Sequence, residues 1–191
     1  MSKRKLGFAV CGSFCTFEKT LELLETLCQD YDVTAILSPA AAGMDTRFGD
    51  AAPFCEKVRA LTEKPIIETI AEAEPVGPKS LFDVILVAPC TGNTLAKLSA
   101  GITDTSVTMA CKAHLRNQRP VVLAVSTNDG LSANARNIGT MLNKKHVFFV
   151  PFRQDDPKGK PASLVSDFSL AKEALEMALE NQQLQPLLTG I

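Results

Sequence analysis

Apolar runs alternate along this chain with segments of helical periodicity, and this alternation constrains the fold more than any other feature. The runs VILVA (84–88) and VVLAVS (121–126) lack an apolar–polar alternation, which is typical of strands buried on both faces. Strands separated by helical stretches form a parallel sheet that helices cover on both sides. The sequence therefore predicts a single α/β domain over residues 1–191: a doubly wound parallel sheet of five or six strands in a Rossmann-like or flavodoxin-like three-layer sandwich.

The predicted elements follow from the same periodicity. Strands are predicted at 5–12, 32–38, 81–88, 119–126 and 146–152, with a shorter extended segment at 65–70. Helices are predicted at 16–31, 50–64, 92–101, 104–117 and 132–145. The polar segment 152–163 is rich in Pro and Gly and predicts a loop excursion. A final helix is predicted over about 164–183.

Composition excludes several classes of protein. The net charge of -1 and the absence of a basic cluster beyond SKRK (2–5) argue against nucleic-acid binding, which needs a concentrated cationic surface. The six cysteines form no C-x-x-C pair, so we expect most of them to be buried thiols rather than parts of disulfides or of a metal site. No apolar stretch approaches the about 18 residues of a membrane span, and we expect a cytoplasmic protein.

Small polar residues follow the predicted strands at the point where each strand ends. Gly12 and Ser13 follow the first strand, and TGNT (91–94) and STN (126–128) follow two later ones. Because ligands bind outside the carboxyl ends of parallel strands, these neutral donors predict a site for an anion or a flat heterocycle. An alternative is purely structural: Gly12 makes a turn, Thr16 caps the next helix, and Thr91 or Asn93 caps the following one.

Two common nucleotide-binding motifs are absent. The first loop contains Gly12 alone, so it is not G-x-G-x-x-G, and no acidic residue ends the second strand. The chain also has no G-K-[ST] sequence, which excludes a P-loop. These absences argue against a dinucleotide bound by this chain.

Three segments carry a specific resemblance: GS (12–13), APCTGNTLAKLSAGITD (88–104) and VVLAVSTND (121–129). They resemble the flavoprotein family of homo-oligomeric flavin-containing cysteine decarboxylases, which also includes flavin prenyltransferases. In that family a P-x-[ST]-[AG]-N-T segment, followed by a helix and G-x-x-D, cups the isoalloxazine ring of FMN. The resemblance implies FMN as the cofactor and a homo-oligomer as the assembly.

The resemblance also implies roles for particular residues. Gly12, Ser13 and Ser38 would hold the FMN phosphate. The residues facing the isoalloxazine ring would be Thr91, Asn93 and Thr94. Asp104 matches the acid of G-x-x-D, and the loop that closes over the ligand would comprise Ser126, Thr127 and Asn128.

One departure from the family pattern affects the expected reaction. The decarboxylases use a histidine that the corresponding segment 38–51 lacks, and the chain's two histidines, His114 and His146, are predicted to be structural. The resemblance therefore disfavours a flavin-dependent decarboxylase of a cysteine-derived substrate, which stays as an alternative. A non-catalytic flavodoxin-like partner subunit is a further alternative.

Other stretches, among them TRFGDA (46–51) and FFVPFRQDDPKGKP (148–161), resemble a branch of the family found in spore-forming bacteria. In that branch the chain is one subunit of an oxidoreductase that makes a planar pyridine dicarboxylate in the mother-cell cytoplasm. The resemblance implies a partner subunit that carries NAD(P). A dicarboxylate favours arginine, whose fork matches a carboxylate. Arg47 and Asn93 are the predicted substrate contacts, with Arg136, Arg153 and Lys97 as weaker candidates.

Overall fold

The computed structural model of this chain describes residues 3–190 and contains one seven-stranded sheet. The strands are β1 (Arg4–Val10), β2 (Tyr31–Leu37), β3 (Val84–Cys90), β4 (Val121–Thr127), β5 (Val147–Phe149), β6 (Phe152–Arg153) and β7 (Leu164–Ser166). The helices are α1 (Phe17–Asp30), α2 (Pro39–Gly43), α3 (Ala51–Thr62), α4 (Ile70–Ala73), α5 (Gly92–Ala100), α6 (Ser106–Arg116), α7 (Ala135–Leu142) and α8 (Ala171–Leu179).

Five of the strands form a parallel sheet in the order β2-β1-β3-β4-β5. This is the flavodoxin-like order, in which the strand order reverses between β1 and β3. Every residue of β3 is buried, as the unalternating apolar run predicted. Helices α1, α3 and α8 pack on one face of the sheet, and α5, α6 and α7 pack on the other. The predicted three-layer α/β fold is therefore confirmed.

The segment after β5 differs from the prediction. Residues 152–163 were predicted as a loop and 164–183 as a helix, but β6 and β7 pair antiparallel, and β7 also pairs with the end of β4. The physical reason lies in β4: β5 pairs only with Val121–Leu123, which leaves the backbone groups of Ser126 and Thr127 for another strand. The final helix therefore starts at Ala171. It ends at Leu179, shortly before Asn181 adopts a left-handed conformation (φ 57°).

The extended segment predicted at 65–70 is not a strand of the sheet. It forms a single parallel bridge between Ile67 and Ile36, and Thr69 begins α4 with a capping box that uses Glu72. Within residues 3–190 no helix combines the length and the apolar character needed to cross a membrane.

His114 lies in α6 and is fully buried. Neither ring nitrogen has a hydrogen-bond partner among the described residues. Burial, with a smaller contribution from the nearby Arg119, lowers the pKa of His114 to about 4, so the ring is neutral at pH 7. This supports the prediction that His114 is structural.

We predict that His114 makes the protein sensitive to acid. Because its pKa is about 4 in the fold and about 6.5 when unfolded, the unfolded chain binds the extra proton between these pH values. His114→Leu should remove this effect, so its free energy of unfolding relative to wild type should improve by about 1.4 kcal/mol per pH unit as pH falls from 6.5 to 4. Urea denaturation across this range measures the difference. His146→Gln is the control, and parallel curves for wild type and His114→Leu would contradict the prediction.

Candidate functional site

The loops after β1 and β4 meet at the carboxyl edge of the sheet. Ser13 Oγ and Ser126 Oγ are 3.0 Å apart and share a hydrogen bond, although 113 positions separate them in the sequence. Just before the first loop, the Cys11 N–H donates to Pro89 O of β3 at 3.3 Å. The loops of β1, β3 and β4 therefore adjoin one another beside the point where the strand order reverses, which is the usual ligand position in such sheets.

A cleft of about 470 Å³ opens beside these loops, and we call it the β4 cleft. Four of the predicted site residues line it: Ser13, Ser126, Thr127 and Asn128. Its other walls come from the start of α1 and from the β6–β7 excursion. These residues are Cys15, Thr16, Lys19, Arg153, Gln154, Asp155, Lys160, Ser163, Leu164 and Val165.

The loop after β1 presents free backbone donors. Among the described residues, the N–H groups of Gly12, Phe14 and Cys15 have no hydrogen-bond acceptor. Thr16 does not cap α1 with its side chain, because Thr16 Oγ1 donates instead to Ser13 O at 2.7 Å. A Cβ on Gly12 would lie 3.1 Å from Ala40 Cβ, so a larger residue would crowd this turn. Free N–H groups before a helix suit an anion, and those of Phe14 and Cys15 are adjacent in the chain.

Ser38 lies at the end of β2, on the other side of this turn. Its side chain is buried and accepts a hydrogen bond from the Ala41 N–H at 3.3 Å, which caps α2. Its backbone N–H donates to Val10 O at 3.0 Å. Ser38 therefore supports the loop that carries Ala40 against Gly12.

The hydroxyls at the start of α5 are satisfied inside the protein. Thr91 caps α5 by accepting from the Thr94 N–H, and Thr91 Oγ1 donates to Thr94 Oγ1 at 3.2 Å. Thr94 Oγ1 in turn donates to the Cys11 sulfur at 3.2 Å. Burial raises the pKa of Cys11 to about 11, so this thiol is protonated and inert at neutral pH. The structural alternative for Thr91, that it caps the following helix, is therefore correct for its side chain.

Asn93, Asp104 and Arg47 lie away from the β4 cleft. Asn93 is exposed and lines a separate open groove of about 540 Å³ between α5 and α7, together with Arg136. Asp104 pairs with Lys97 at 2.8 Å, and this hydrogen bond lowers its pKa. The Arg47 guanidinium lies 4.8 Å from the Phe48 ring centre on an exposed loop. The predicted residues therefore do not share a single site.

A polar network that sequence reasoning missed supports the loop after β4. The Asp129 carboxylate accepts hydrogen bonds from Thr127 Oγ1 and from Asn134 Nδ2, the latter at 2.8 and 2.9 Å. The Thr127 hydrogen bond is the main cause that lowers the Asp129 pKa. A Cβ on Gly92 would lie 2.5 Å from both Asn134 Nδ2 and Thr127 Oγ1. Only glycine therefore lets the start of α5 approach this network.

Comparison with known proteins fits this geometry. The family model described as Flavoprotein matches residues 1–172. The chain belongs to the flavoprotein family. The B subunit of dipicolinate synthase from Bacillus subtilis strain 168 is 42% identical to this flavoprotein over 186 residues, which are 97% of this chain and 93% of that one. The family resemblance inferred from the sequence is therefore confirmed.

Solved structures agree with this assignment. The crystal structure of the dipicolinate synthase B subunit from Bacillus halodurans has a TM-score of 0.91 and 39% identity, covering 99% of this flavoprotein and 97% of that chain. A dodecameric FMN-dependent UbiX-like decarboxylase from Escherichia coli O157:H7 has a TM-score of 0.62 and 24% identity, covering 77% and 79% of the two chains. The second similarity concerns the fold alone.

We predict that Gly92→Ala destabilises the protein by about 1–3 kcal/mol, because the added methyl group displaces the Thr127–Asp129–Asn134 network. Gly139→Ala is the matched control: Gly139 is an exposed residue of α7, no atom lies within 4 Å of the position that an added methyl group would take, and alanine should stabilise by about 0.5–1 kcal/mol. Urea denaturation of both variants measures the two effects. Equal stabilities would contradict the prediction.

Proposed function

We propose that this chain is the B subunit of dipicolinate synthase, which works with an A subunit to oxidise dihydrodipicolinate to dipicolinate during sporulation, in the cytoplasm of the mother cell. The observation that carries the proposal is the Ser13–Ser126 contact, since it joins two loops that supply neutral donors to a cleft at the carboxyl edge of the sheet. The proposal is supported by 42% identity to a B subunit over almost the whole chain.

The phosphate end of FMN fits the loop after β1. Gly12 leaves room for close approach, and the free N–H groups of Gly12, Phe14 and Cys15 can donate to a phosphate. Ser13 and Ser38 stand on either side of this turn. When bound, FMN would supply a group that accepts a hydride. The contacts of its ring with Thr91, Asn93 and Thr94 stay predictions, as does the role of Asp104.

The nicotinamide cofactor belongs on the A subunit in this proposal, since the loop after β1 lacks the glycine pattern of a dinucleotide site. The overall reaction balances as dihydrodipicolinate plus NAD(P)⁺ giving dipicolinate, NAD(P)H and a proton. This chain's own residues would bind the substrate and exclude water from it. We also expect the chain to form a homo-oligomer, as the dodecameric relative from Escherichia coli does.

We predict that the purified chain binds FMN and that Gly12→Val weakens this binding at least tenfold, because a branched side chain would crowd Ala40 and the phosphate position. Gly43→Val is the matched control, since no atom lies within 4 Å of a Cβ at Gly43. Visible absorbance of the chain titrated with FMN measures the affinity. If the protein is colourless after incubation with excess FMN and removal of the unbound FMN, the flavin route is excluded.

We predict that synthase activity requires both subunits. Because the family resemblance implies that Asn93 lies against the flavin ring rather than in the β4 cleft, Asn93→Ala should lower the rate about a hundredfold, equal to about 2.7 kcal/mol of transition-state stabilisation. Asn93 is exposed, so the substitution should leave the fold unchanged. Thr140→Ala, on the same groove, is the control. NAD(P)H formation by the mixed subunits gives the rate. An unchanged rate would make this chain a non-catalytic partner, and CO₂ release from a cysteine-derived thiol by this chain alone would favour the decarboxylase alternative.

A further inference from the structure

The charges of the β4 cleft differ from those of the chain as a whole. The chain has a net charge of -1, yet three cations and one carboxylate line this cleft, giving it a formal net charge of +2. The cations are Lys19, Arg153 and Lys160, and the carboxylate is Asp155. A cleft that concentrates positive charge attracts an anion of matching charge.

The three cations of the cleft differ in their partners. Lys160 Nζ lies 3.4 Å from Asp155 Oδ2, so these two residues neutralise each other. Lys19 forms neither an ion pair nor a side-chain hydrogen bond within the part of the chain that the structure describes. Arg153 Nη1 forms a long ion pair with Asp167 Oδ2 at 3.8 Å, beyond hydrogen-bond distance, and Asp167 does not line the cleft. The net charge of the cleft therefore comes from Lys19 and Arg153.

The positions of these two residues place the charges on different elements. Lys19 is the third residue of α1, where the helix dipole favours anions and a lysine is not stabilised by its own helix. Arg153 belongs to β6, and pairing with Val165 of β7 sets its place beside the end of β4. The cleft thus has one cation supplied by a helix and a second supplied by a strand.

Neutral and apolar groups line the same cleft. Ser13 and Ser126 share one hydrogen bond, and the only other contact that residues 3–190 offer these hydroxyls is a long one of 4.0 Å from Ser13 Oγ to Cys15 Sγ, so the pair can still donate to a ligand. Leu164 and Val165 offer apolar contact to a flat ring. A planar ring with two carboxylates matches this combination of an unpaired lysine, an arginine in a long ion pair, neutral donors and an apolar wall.

We propose that Lys19 and Arg153 bind the two carboxylates of a planar pyridine-type dicarboxylate in the β4 cleft. This inference rests on the proposed function and assigns its substrate to particular residues. The Arg153 fork can hold one carboxylate with two parallel hydrogen bonds, and the Lys19 ammonium pairs with the other. Arg47 and Asn93, the substrate contacts predicted from the sequence, are not part of this site. Arg47 lies on the exposed loop beside Phe48, and Asn93 lines the groove between α5 and α7. Arg153 was among the weaker candidates.

The test is titration calorimetry of the purified chain with pyridine-2,6-dicarboxylate, in buffer free of divalent metals. We expect Arg153→Gln and Lys19→Gln each to raise Kd at least tenfold and Arg153→Lys to have an intermediate effect, because lysine keeps the charge without the fork. Arg47→Gln is the matched control and should change Kd less than twofold. Thermal melting of each variant checks that the fold is retained.

A second ligand tests the pairing of charges. Pyridine-2-carboxylate has one carboxylate, so it should bind wild type at least tenfold more weakly and should respond to only one of the two substitutions. Equal affinity for both ligands would overturn the inference, and so would wild-type protein that binds no dicarboxylate. An unchanged Kd in both Arg153→Gln and Lys19→Gln would overturn it too.

Two further measurements separate this inference from the function and from the cofactor. If the wild-type chain mixed with the A subunit forms no NAD(P)H from dihydrodipicolinate, the proposed function fails, while the titrations still decide where a dicarboxylate binds. If Arg153→Gln and Lys19→Gln weaken FMN binding and leave dicarboxylate binding unchanged, the cations serve the flavin phosphate and the inference is overturned.

Discussion

The parallel pairing of β1 with β3 and of β3 with β4 is the constraint on which the rest of this structure depends. Parallel strands end at the same edge of a sheet, so residues far apart in the sequence meet there. Ser13 and Ser126 share a hydrogen bond for this reason alone. β3 can pair with β1 on one side and β4 on the other because its residues are apolar and buried, and helices cover both faces of the sheet.

The end of β4 determines how the β6–β7 excursion joins the sheet. β5 is too short to pair with the whole of β4, and the remaining backbone groups pair with β7. This antiparallel addition carries β6 and its arginine, Arg153, to the edge where the loops already converge. An unsatisfied strand edge thus explains why a polar, Pro- and Gly-rich segment became a wall of the cleft.

The candidate site combines predicted and unpredicted residues for identifiable reasons. Ser13 and Ser126–Asn128 could be predicted because they directly follow apolar strands. Thr91 and Thr94 follow a strand as well, but their hydroxyls bond to each other and to Cys11, a contact across 83 positions that no local pattern encodes. Lys19 carries no sequence signal, and Arg153 could be predicted only as a weaker substrate contact, since a solvated lysine or arginine has the same local surroundings.

The sequence by itself determined the three layers of this protein, the parallel direction of its main strands and the family to which it belongs. These features follow from periodicity and local motifs, which depend only on neighbouring residues. Tertiary structure alone decided that Asn93 faces a groove beside Arg136 while Asn128 lines the β4 cleft, and that the β6–β7 excursion completes the sheet. The physical reason is that side-chain direction and the pairing of a strand edge depend on residues more than 20 positions away in the chain, which is beyond the reach of any repeat or motif.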